Sequence, residues 1–144
     1  MKLYTIGFTK KTASEFFMLL MRNEVIKIID IRLNNKSQLA GFAKGGDLKY
    51  FLNEIGNIGY VHMLEYAPTK GLLDSYRKKT IDWKEYDIAY KKILKQREII
   101  KDIDYSIFND ACLLCSEETP QNCHRRLLAE YLTEHNKEIQ IIHL

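Results

Sequence analysis

Short apolar runs alternate with segments of helical periodicity from one end of the chain to the other. The runs are rich in β-branched and other apolar residues, as expected of strands in a buried sheet. The first run stops at Gly7, and the apolar character of the second breaks at Asp30. The five predicted strands cover residues 2–6, 25–31, 60–64, 111–115 and 138–144.

Helix-start signals fall between these strands. Thr12 with Glu15 three residues later forms a capping box, and so does Asp82 with Glu85. The first box predicts a helix that runs to about Arg22. The other predicted elements are a helix from Asp47 that Gly56 ends, a short helix over residues 72–79 after a loop marked by Pro68 and Gly71, a helix beginning at Thr119-Pro120, and a long polar loop over residues 34–46 that includes Ser37.

Strands that alternate with helices favour a parallel sheet covered on both faces. We therefore predict a single α/β domain over residues 1–144, with three layers and a mostly parallel sheet of about five strands flanked by helices. A chain of 144 residues suits one domain of this kind. The residues expected in its core include Leu19, Ile28, Leu113, Leu128 and Ile141.

Charge and cysteine content limit the kinds of ligand and the cellular compartment that we expect. The net charge of +3 permits an anionic ligand but does not demand nucleic acid. Three cysteines, an odd number, predict free thiols in a reducing compartment. The first residues do not form a signal-peptide pattern, and no apolar stretch is long enough to cross a bilayer. We expect a cytoplasmic protein with no membrane partner.

Polar residues follow the predicted strands where chemistry is usually found in parallel sheets. Ligands bind beyond the carboxyl ends of such strands. The segments in that position are Gly7 with Thr9, Asp30 to Arg32, His62 to Glu65, and Cys115 to Glu117. We expect them to converge on one cleft.

The densest cluster lies between Cys115 and Arg125. A helix start offers free N–H groups and a positive dipole end, which bind anions and acidify a thiol. Cys115 is the candidate nucleophile and His124 the candidate acid or base. Arg32 and Arg125 would bind anionic groups. The remaining candidates are Asp30 and Glu117, which would orient partners, and Gly7, Thr9, His62 and Cys123, which would contact the ligand.

Other interpretations of the same residues stay open. The cysteines could be core packing, as free cysteine often is. Thiolate and imidazole also suit zinc, so Cys115, Cys123, His124 and His62 could bind a metal, although seven residues between the cysteines make a poor preformed site. Asp30 with Arg32 could be a structural ion pair, and His62 could be a packed strand residue with no role in a site.

A lysine-rich segment over residues 91–97, with Tyr86 and Tyr90 nearby, could be a nucleic-acid face. Acidic residues are interleaved with its lysines, a mixture more typical of a solvated helix.

Several short motifs are specific when taken together: Tyr4-Thr5-Ile6-Gly7, Asp30-Ile31-Arg32, Tyr60-Val61-His62, Leu113-Leu114-Cys115-Ser116-Glu117 and Cys123-His124-Arg125. In these motifs the chain resembles the family called domain of unknown function 488, over essentially its whole length. Residues 67–76 resemble one branch of that family. Many relatives carry a histidine where this chain has Phe8. Chemistry that needs a histidine there is therefore not expected.

The resemblance implies a small α/β fold in a bacterial or archaeal cytoplasm, with the cysteine and Cys-His-Arg motifs as its signature. It implies no particular reaction. Our first hypothesis is an enzyme or enzyme-like domain that binds an anionic small molecule, a nucleotide or a nucleic-acid base at the cluster. The alternatives are a metal-binding domain and a non-catalytic interaction module. The sequence identifies neither a cofactor nor an oligomeric state.

Overall fold

Five parallel strands form the centre of the computed structural model, which describes residues 1–36 and 40–144. They are β1 (Lys2–Gly7), β2 (Lys27–Asp30), β3 (Gly59–His62), β4 (Ala111–Cys115) and β5 (Gln140–His143). Their order in the sheet is β3-β2-β4-β1-β5. All pairs are parallel, which confirms the predicted sheet.

Helices cover both faces of this sheet. They are α1 (Ala13–Arg22), α2 (Gly45–Gly56), α3 (Lys70–Arg77), α4 (Trp83–Gln96) and α5 (His124–His135). Both predicted capping boxes are present: Thr12 caps α1 with Glu15, and Asp82 caps α4 with Glu85. Each box satisfies N–H groups that the first helical turn leaves unpaired.

The central strand β4 divides two hydrophobic clusters. Leu113 packs with α3, α4 and α5 on one face, and Leu114 packs with α1 and α2 on the other. Side chains alternate along a strand, so β4 is buried on both sides. The predicted three-layer α/β architecture is confirmed. Among the described residues, no helix is both long and apolar enough to cross a membrane.

The last helix does not begin where proline suggests. Proline suits a first helical position, which predicted a start at Pro120. The structure starts α5 at His124, with Cys123 as its N-cap. No helical turn forms before His124, because the guanidinium of Arg125 donates to the backbone carbonyls of Glu117 and Glu118 and holds that segment in a loop.

Other predicted bounds shift by a few residues. Helix α2 begins at Gly45 rather than at Asp47, because the N–H of Gly45 donates to the carbonyl of Asn35 at 2.7 Å. Gly71 lies inside α3 rather than in a loop, since Thr69 caps that helix. Part of the long predicted loop is a short 3₁₀ turn (Gly41–Ala43), and its Ser37 lies outside the described residues.

Three of the five predicted core residues are fully buried: Ile28, Leu113 and Leu128. Leu19 and Ile141 are only half-buried, although each packs against a core cluster. Strand β5 forms one edge of the sheet, so Ile141 lacks a strand neighbour on one side.

Leu113→Ala should lower the free energy of unfolding by about 2–5 kcal/mol, because it leaves a cavity at the centre of the larger cluster. Ile88→Ala is the control, since that side chain is 62% exposed on α4. Its effect should stay within about 0.5 kcal/mol. Denaturant unfolding measures both. Equal midpoints for Leu113→Ala and the parent would contradict the placement of β4 in the core.

Candidate functional site

The strand register brings the predicted site segments to one edge of the sheet. Gly7 pairs with Cys115, and Asp30 pairs with His62 and with Leu114. The carboxyl ends of β1, β2, β3 and β4 therefore lie side by side. Convergence follows from register alone, as the position of the motifs along the chain predicted.

Cys115 ends β4, and Cys123 caps α5 on the far side of a seven-residue loop, residues 116–122. Their sulfurs form a disulfide, and both residues are nearly fully buried. The prediction of free thiols is therefore wrong for this pair. Cys112 is the free cysteine, and its burial raises the pKa of its thiol far above the ordinary value. The seven residues between Cys115 and Cys123 do not reveal this pairing, because the loop folds back and brings its two ends together.

Arg125 lies beneath this loop and is fully buried. Its Nη1 donates to the carbonyl of Glu117 at 2.6 Å, and its Nη2 to that of Glu118 at 3.3 Å. The same Nη1 lies 3.9 Å from the sulfur of Cys115 and 3.8 Å from that of Cys123. Burial lowers the pKa of Arg125 to about 10, which leaves the guanidinium charged at neutral pH. The structure thus puts a positive charge behind the cysteine pair rather than in open solvent.

Gly7 makes room for that arrangement. A Cβ at this position would lie 1.6 Å from the carbonyl oxygen of Glu117 and 2.6 Å from Nη1 of Arg125. The loop also contacts β1 through Thr9, whose N–H and hydroxyl both donate to the carbonyl of Ser116. Gly7 and Thr9 therefore position the loop.

His124 links the start of α5 to the end of β2. Its Nε2 lies 2.9 Å from the carbonyl oxygen of Ile31, so this nitrogen carries the proton in the neutral ring and donates it. Burial lowers the pKa of His124 to about 4, against the opposing hydrogen bond to Ile31. One ring nitrogen and the sulfurs of Cys115 and Cys123 lie within 4.8 Å of one another. That set could bind a metal only with the disulfide reduced.

Asp30 and Arg32 form a buried ion pair. Arg32 donates from Nε and Nη2 to the two carboxylate oxygens at 2.9 and 2.7 Å. Tyr60 adds a hydrogen bond of 2.6 Å from its hydroxyl to Asp30. Burial, and then that hydrogen bond, raise the pKa of Tyr60 to about 12. His62 binds the backbone carbonyl of Arg32 at 2.6 Å and so supports the pair from behind.

The Nη1 of Arg32 is different from its other nitrogens. It is buried and has no hydrogen-bond partner among the residues that the structure describes. The guanidinium lies 5.2 Å from the ring centroid of Phe8. Arg32 also lines the open cleft above the strand ends.

That cleft, with a volume of about 1700 Å³, lies between the loops after β1, β2 and β4 and the pair of helices α3 and α4. Cys115, Glu117, Cys123 and His124 line it, whereas Asp30, His62 and Arg125 support it from below. Its other cationic lining residues are Lys10, Lys11, Lys70, Arg77 and Lys79. Its acidic lining residues are Asp74, Asp82, Glu85 and Glu117.

An aromatic wall completes the cleft, and sequence reasoning missed it. Trp83 stacks on Tyr86, with ring centroids 4.9 Å apart, and Tyr76 meets both rings edge-on or tilted. The signal in the sequence is the helical spacing of Trp83 and Tyr86, which places them on one helix face but does not distinguish a cleft wall from core packing.

Several residues of the segment considered as a nucleic-acid face make structural contacts. Tyr86 and Tyr90 are buried, and Arg97 donates to the carbonyls of Glu65 and Ala67. Lys91 pairs with an acidic neighbour on its own helix. Lys92 and Lys95 are exposed, so nucleic-acid binding by this segment stays an untested expectation.

These features define a small α/β protein with a cysteine–histidine–arginine cluster at the carboxyl ends of a parallel sheet. The family model described as domain of unknown function DUF488 matches residues 12–132. The chain belongs to this family. Comparisons with curated proteins and with solved structures gave no match.

Gly7→Ala should destabilise the protein by about 1–3 kcal/mol or more, because backbone rather than a flexible side chain blocks the new methyl group. Gly46→Ala is the matched control, since nothing lies within 4 Å of its added Cβ. That control, in a helix, should be neutral or stabilising by about 0.5 kcal/mol. Thermal unfolding compares the two. A Gly7→Ala protein as stable as the parent would contradict the tight contact between β1 and the loop.

Acid should weaken the fold through His124. Its pKa is about 4 when folded, against 6.5 as the ordinary value, so between these values the unfolded chain binds the extra proton. Stability is then fully present above pH 6.5 and falls as the pH drops toward 4, by about 3 kcal/mol in all. Unfolding free energies measured from pH 7 to 5 test this, because most carboxylates titrate lower.

His124→Asn should flatten that pH dependence, whatever its effect on absolute stability. His135→Gln, which removes an exposed histidine of the same helix, should leave it unchanged. His143, whose pKa burial also lowers, contributes equally in all three proteins. Equal slopes for His124→Asn and the parent would show that His124 is not held neutral.

Proposed function

We propose that the protein is a cytoplasmic enzyme or enzyme-like domain that binds an anionic small molecule, nucleotide or nucleic-acid base in the cleft. The observation that carries this proposal is the buried Nη1 of Arg32, which has no hydrogen-bond partner within residues 1–36 and 40–144. A buried donor without a partner costs free energy, which a ligand oxygen at that point would recover. Arginine is well suited to phosphate and carboxylate groups.

The electrostatics of the cleft support an anion. The carboxylate of Asp30 neutralises Arg32 through two of its nitrogens. In the part of the chain that the structure describes, no carboxylate pairs with Arg125, whose guanidinium contacts backbone carbonyls and sulfurs. Its field reaches the cleft wall, since burial and then the charge of Arg125 lower the pKa of Lys11. An anion placed between these groups would be stabilised by both.

The aromatic wall supports a ligand with a planar part. Trp83 is partly exposed and stacked on the buried Tyr86, which fixes its orientation. A nucleic-acid base could stack on such a surface, as bases do on aromatic side chains. A nucleotide would use both features of the cleft.

The chemistry we propose centres on the cluster. Cys115, once reduced, would act as the nucleophile, with His124 positioned for proton transfer and Glu117 at the exposed rim. Asp30 would hold Arg32 in place. The second candidate function, metal binding, is favoured by the short distances among Cys115, Cys123 and His124, and it requires the reduced form.

The fluorescence of Trp83, the only tryptophan in the chain, provides the test. Inorganic phosphate, adenosine and adenosine monophosphate are titrated in turn. We expect saturable changes, with the monophosphate binding most tightly because it can use both Arg32 and the aromatic wall. No saturable change with any of the three would contradict the proposal.

Arg32→Lys should weaken binding of the monophosphate by roughly 10–100-fold, the usual effect of one charge-assisted hydrogen bond. Lysine keeps a cation beside Asp30, so the buried carboxylate is not left alone. Lys84→Gln is the control: that residue is next to Trp83 in sequence and exposed, and it does not line the cleft. Equal affinities for Arg32→Lys and the parent would remove Arg32 from the site.

A further inference from the structure

We propose that Cys115 and Cys123 form a reversible dithiol–disulfide pair that exchanges with small anionic disulfides admitted to the cleft. The exchange itself follows from the arrangement of the two sulfurs and Arg125. The choice of an anionic substrate rests on the proposed function of the cleft.

Access is the first observation. Both cysteines line the cleft, whereas Cys112 points to the opposite face of the sheet and packs with the other core cluster. Cys115 is 1% exposed and Cys123 is 2% exposed, so a substrate reaches the sulfurs only when the loop over residues 116–122 shifts. The loop is anchored by side-chain and backbone hydrogen bonds from Arg125 and Thr9, which are separate from the hydrogen bonds that pair the strands.

The charge behind the pair is the second observation. Nη1 of Arg125 is almost equidistant from the two sulfurs, at 3.9 and 3.8 Å. Cys123 also caps α5, and its sulfur accepts the backbone N–H of Arg125 at 3.5 Å. A guanidinium and a helix N-terminus both stabilise a thiolate over a neutral sulfur. They therefore favour the reduced pair, and a disulfide whose reduced form is stabilised is readily reduced.

The proposed cytoplasmic setting points the same way. Disulfides rarely persist in a reducing compartment, and those that form there are usually catalytic or redox-sensing. A pair that closes beside a fixed positive charge, at the bottom of a cleft, is better suited to turnover than to permanent cross-linking.

The exchange is balanced as follows. One cysteine thiolate attacks a sulfur of the substrate disulfide, whose S–S bond breaks and releases the first thiolate with the electron pair. The second cysteine then attacks the protein sulfur of this mixed disulfide and expels the second thiolate. The protein dithiol loses two electrons, and the substrate disulfide becomes two thiols that take up the two protons. The reverse sequence reduces the protein.

Equilibration with reduced and oxidised glutathione tests the pair. The protein is incubated at a series of ratios, quenched with acid, labelled with a maleimide and analysed by intact mass. We expect Cys115 and Cys123 to gain or lose label together, with a midpoint inside the accessible range of ratios. A pair that stays reduced at every ratio, or a disulfide that excess reduced glutathione does not open in the folded protein, overturns the proposal.

Single variants identify the mechanism. Cys115→Ser and Cys123→Ser should each abolish the internal disulfide, and one of them should accumulate the mixed disulfide with glutathione, because the attacking sulfur remains and the resolving sulfur is gone. Cys112→Ser should exchange like the parent, since Cys112 is buried on the other face. Formation of no mixed disulfide in either single variant contradicts the exchange.

Arg125→Gln tests the charge. Loss of the guanidinium should shift the exchange equilibrium toward the disulfide by about tenfold. A role for Arg125 in holding the loop alone would shift it toward the dithiol instead, and that result contradicts the inference. Arg126→Gln is the matched control, because Arg126 pairs with Glu130 on the helix surface and its loss should change the equilibrium less than about twofold. If Arg125→Gln does not fold, the glutathione midpoint of the parent and the serine variants still decide whether Cys115 and Cys123 form an exchanging pair.

The charge of the substrate separates this inference from the proposed function. Oxidised glutathione should oxidise the reduced protein faster than the neutral bis(2-hydroxyethyl) disulfide does, after correction for the reactivity of each with a free thiol. Equal corrected rates support the redox pair and contradict anion binding in the cleft. Absence of exchange with both disulfides overturns the redox pair, while the fluorescence titration still reports on anion binding.

Discussion

The buried guanidinium of Arg125 is the constraint around which the cluster is arranged. A charge removed from water is costly unless hydrogen bonds replace the lost solvation. The carbonyls of Glu117 and Glu118 supply them for the two terminal nitrogens, while Nε has no partner among the described residues, and these contacts determine the path of the loop. The loop in turn brings Cys115 to Cys123. Gly7 belongs to the same solution, since any larger residue would displace both the loop and the guanidinium.

The charge of a second buried arginine, Arg32, is stabilised in a different way. Arg32 has a carboxylate partner in Asp30, which Tyr60 also binds, so the pair is neutral as a whole. Its Nη1 has no partner among the residues that the structure describes. Among the described residues Arg125 contacts neutral carbonyl oxygens and sulfurs, so it keeps its net charge. The two arrangements differ in effect: the Asp30–Arg32 pair is close to neutral, and Arg125 puts a positive charge behind the sulfurs.

The sequence predicted what depends on local pattern. Strand β4 was located by its apolar run and α1 by the capping box of Thr12, because burial on both faces and N-terminal capping are properties of neighbouring residues. The strand ends, and with them Asp30 and Cys115, followed from topology. The start of α5 did not, because Pro120 satisfies the local rule and the carbonyl contacts of a residue further along the chain override it. The disulfide and the aromatic wall were missed for the same reason: each depends on how a loop or helix returns to the sheet.

The state of His124 depends on the charges that surround it. Its Nε2 proton is committed to the carbonyl of Ile31, and protonation of the other nitrogen would put a second positive charge near Arg125. The closed disulfide offers no negative charge to offset this. A thiolate on the reduced pair, or an anion in the cleft, would do so and would make the ring more basic, because an opposite charge nearby favours the charged form of histidine. Under the proposed function, proton transfer by His124 would therefore depend on that negative group, whereas the imidazole is neutral beside the closed disulfide.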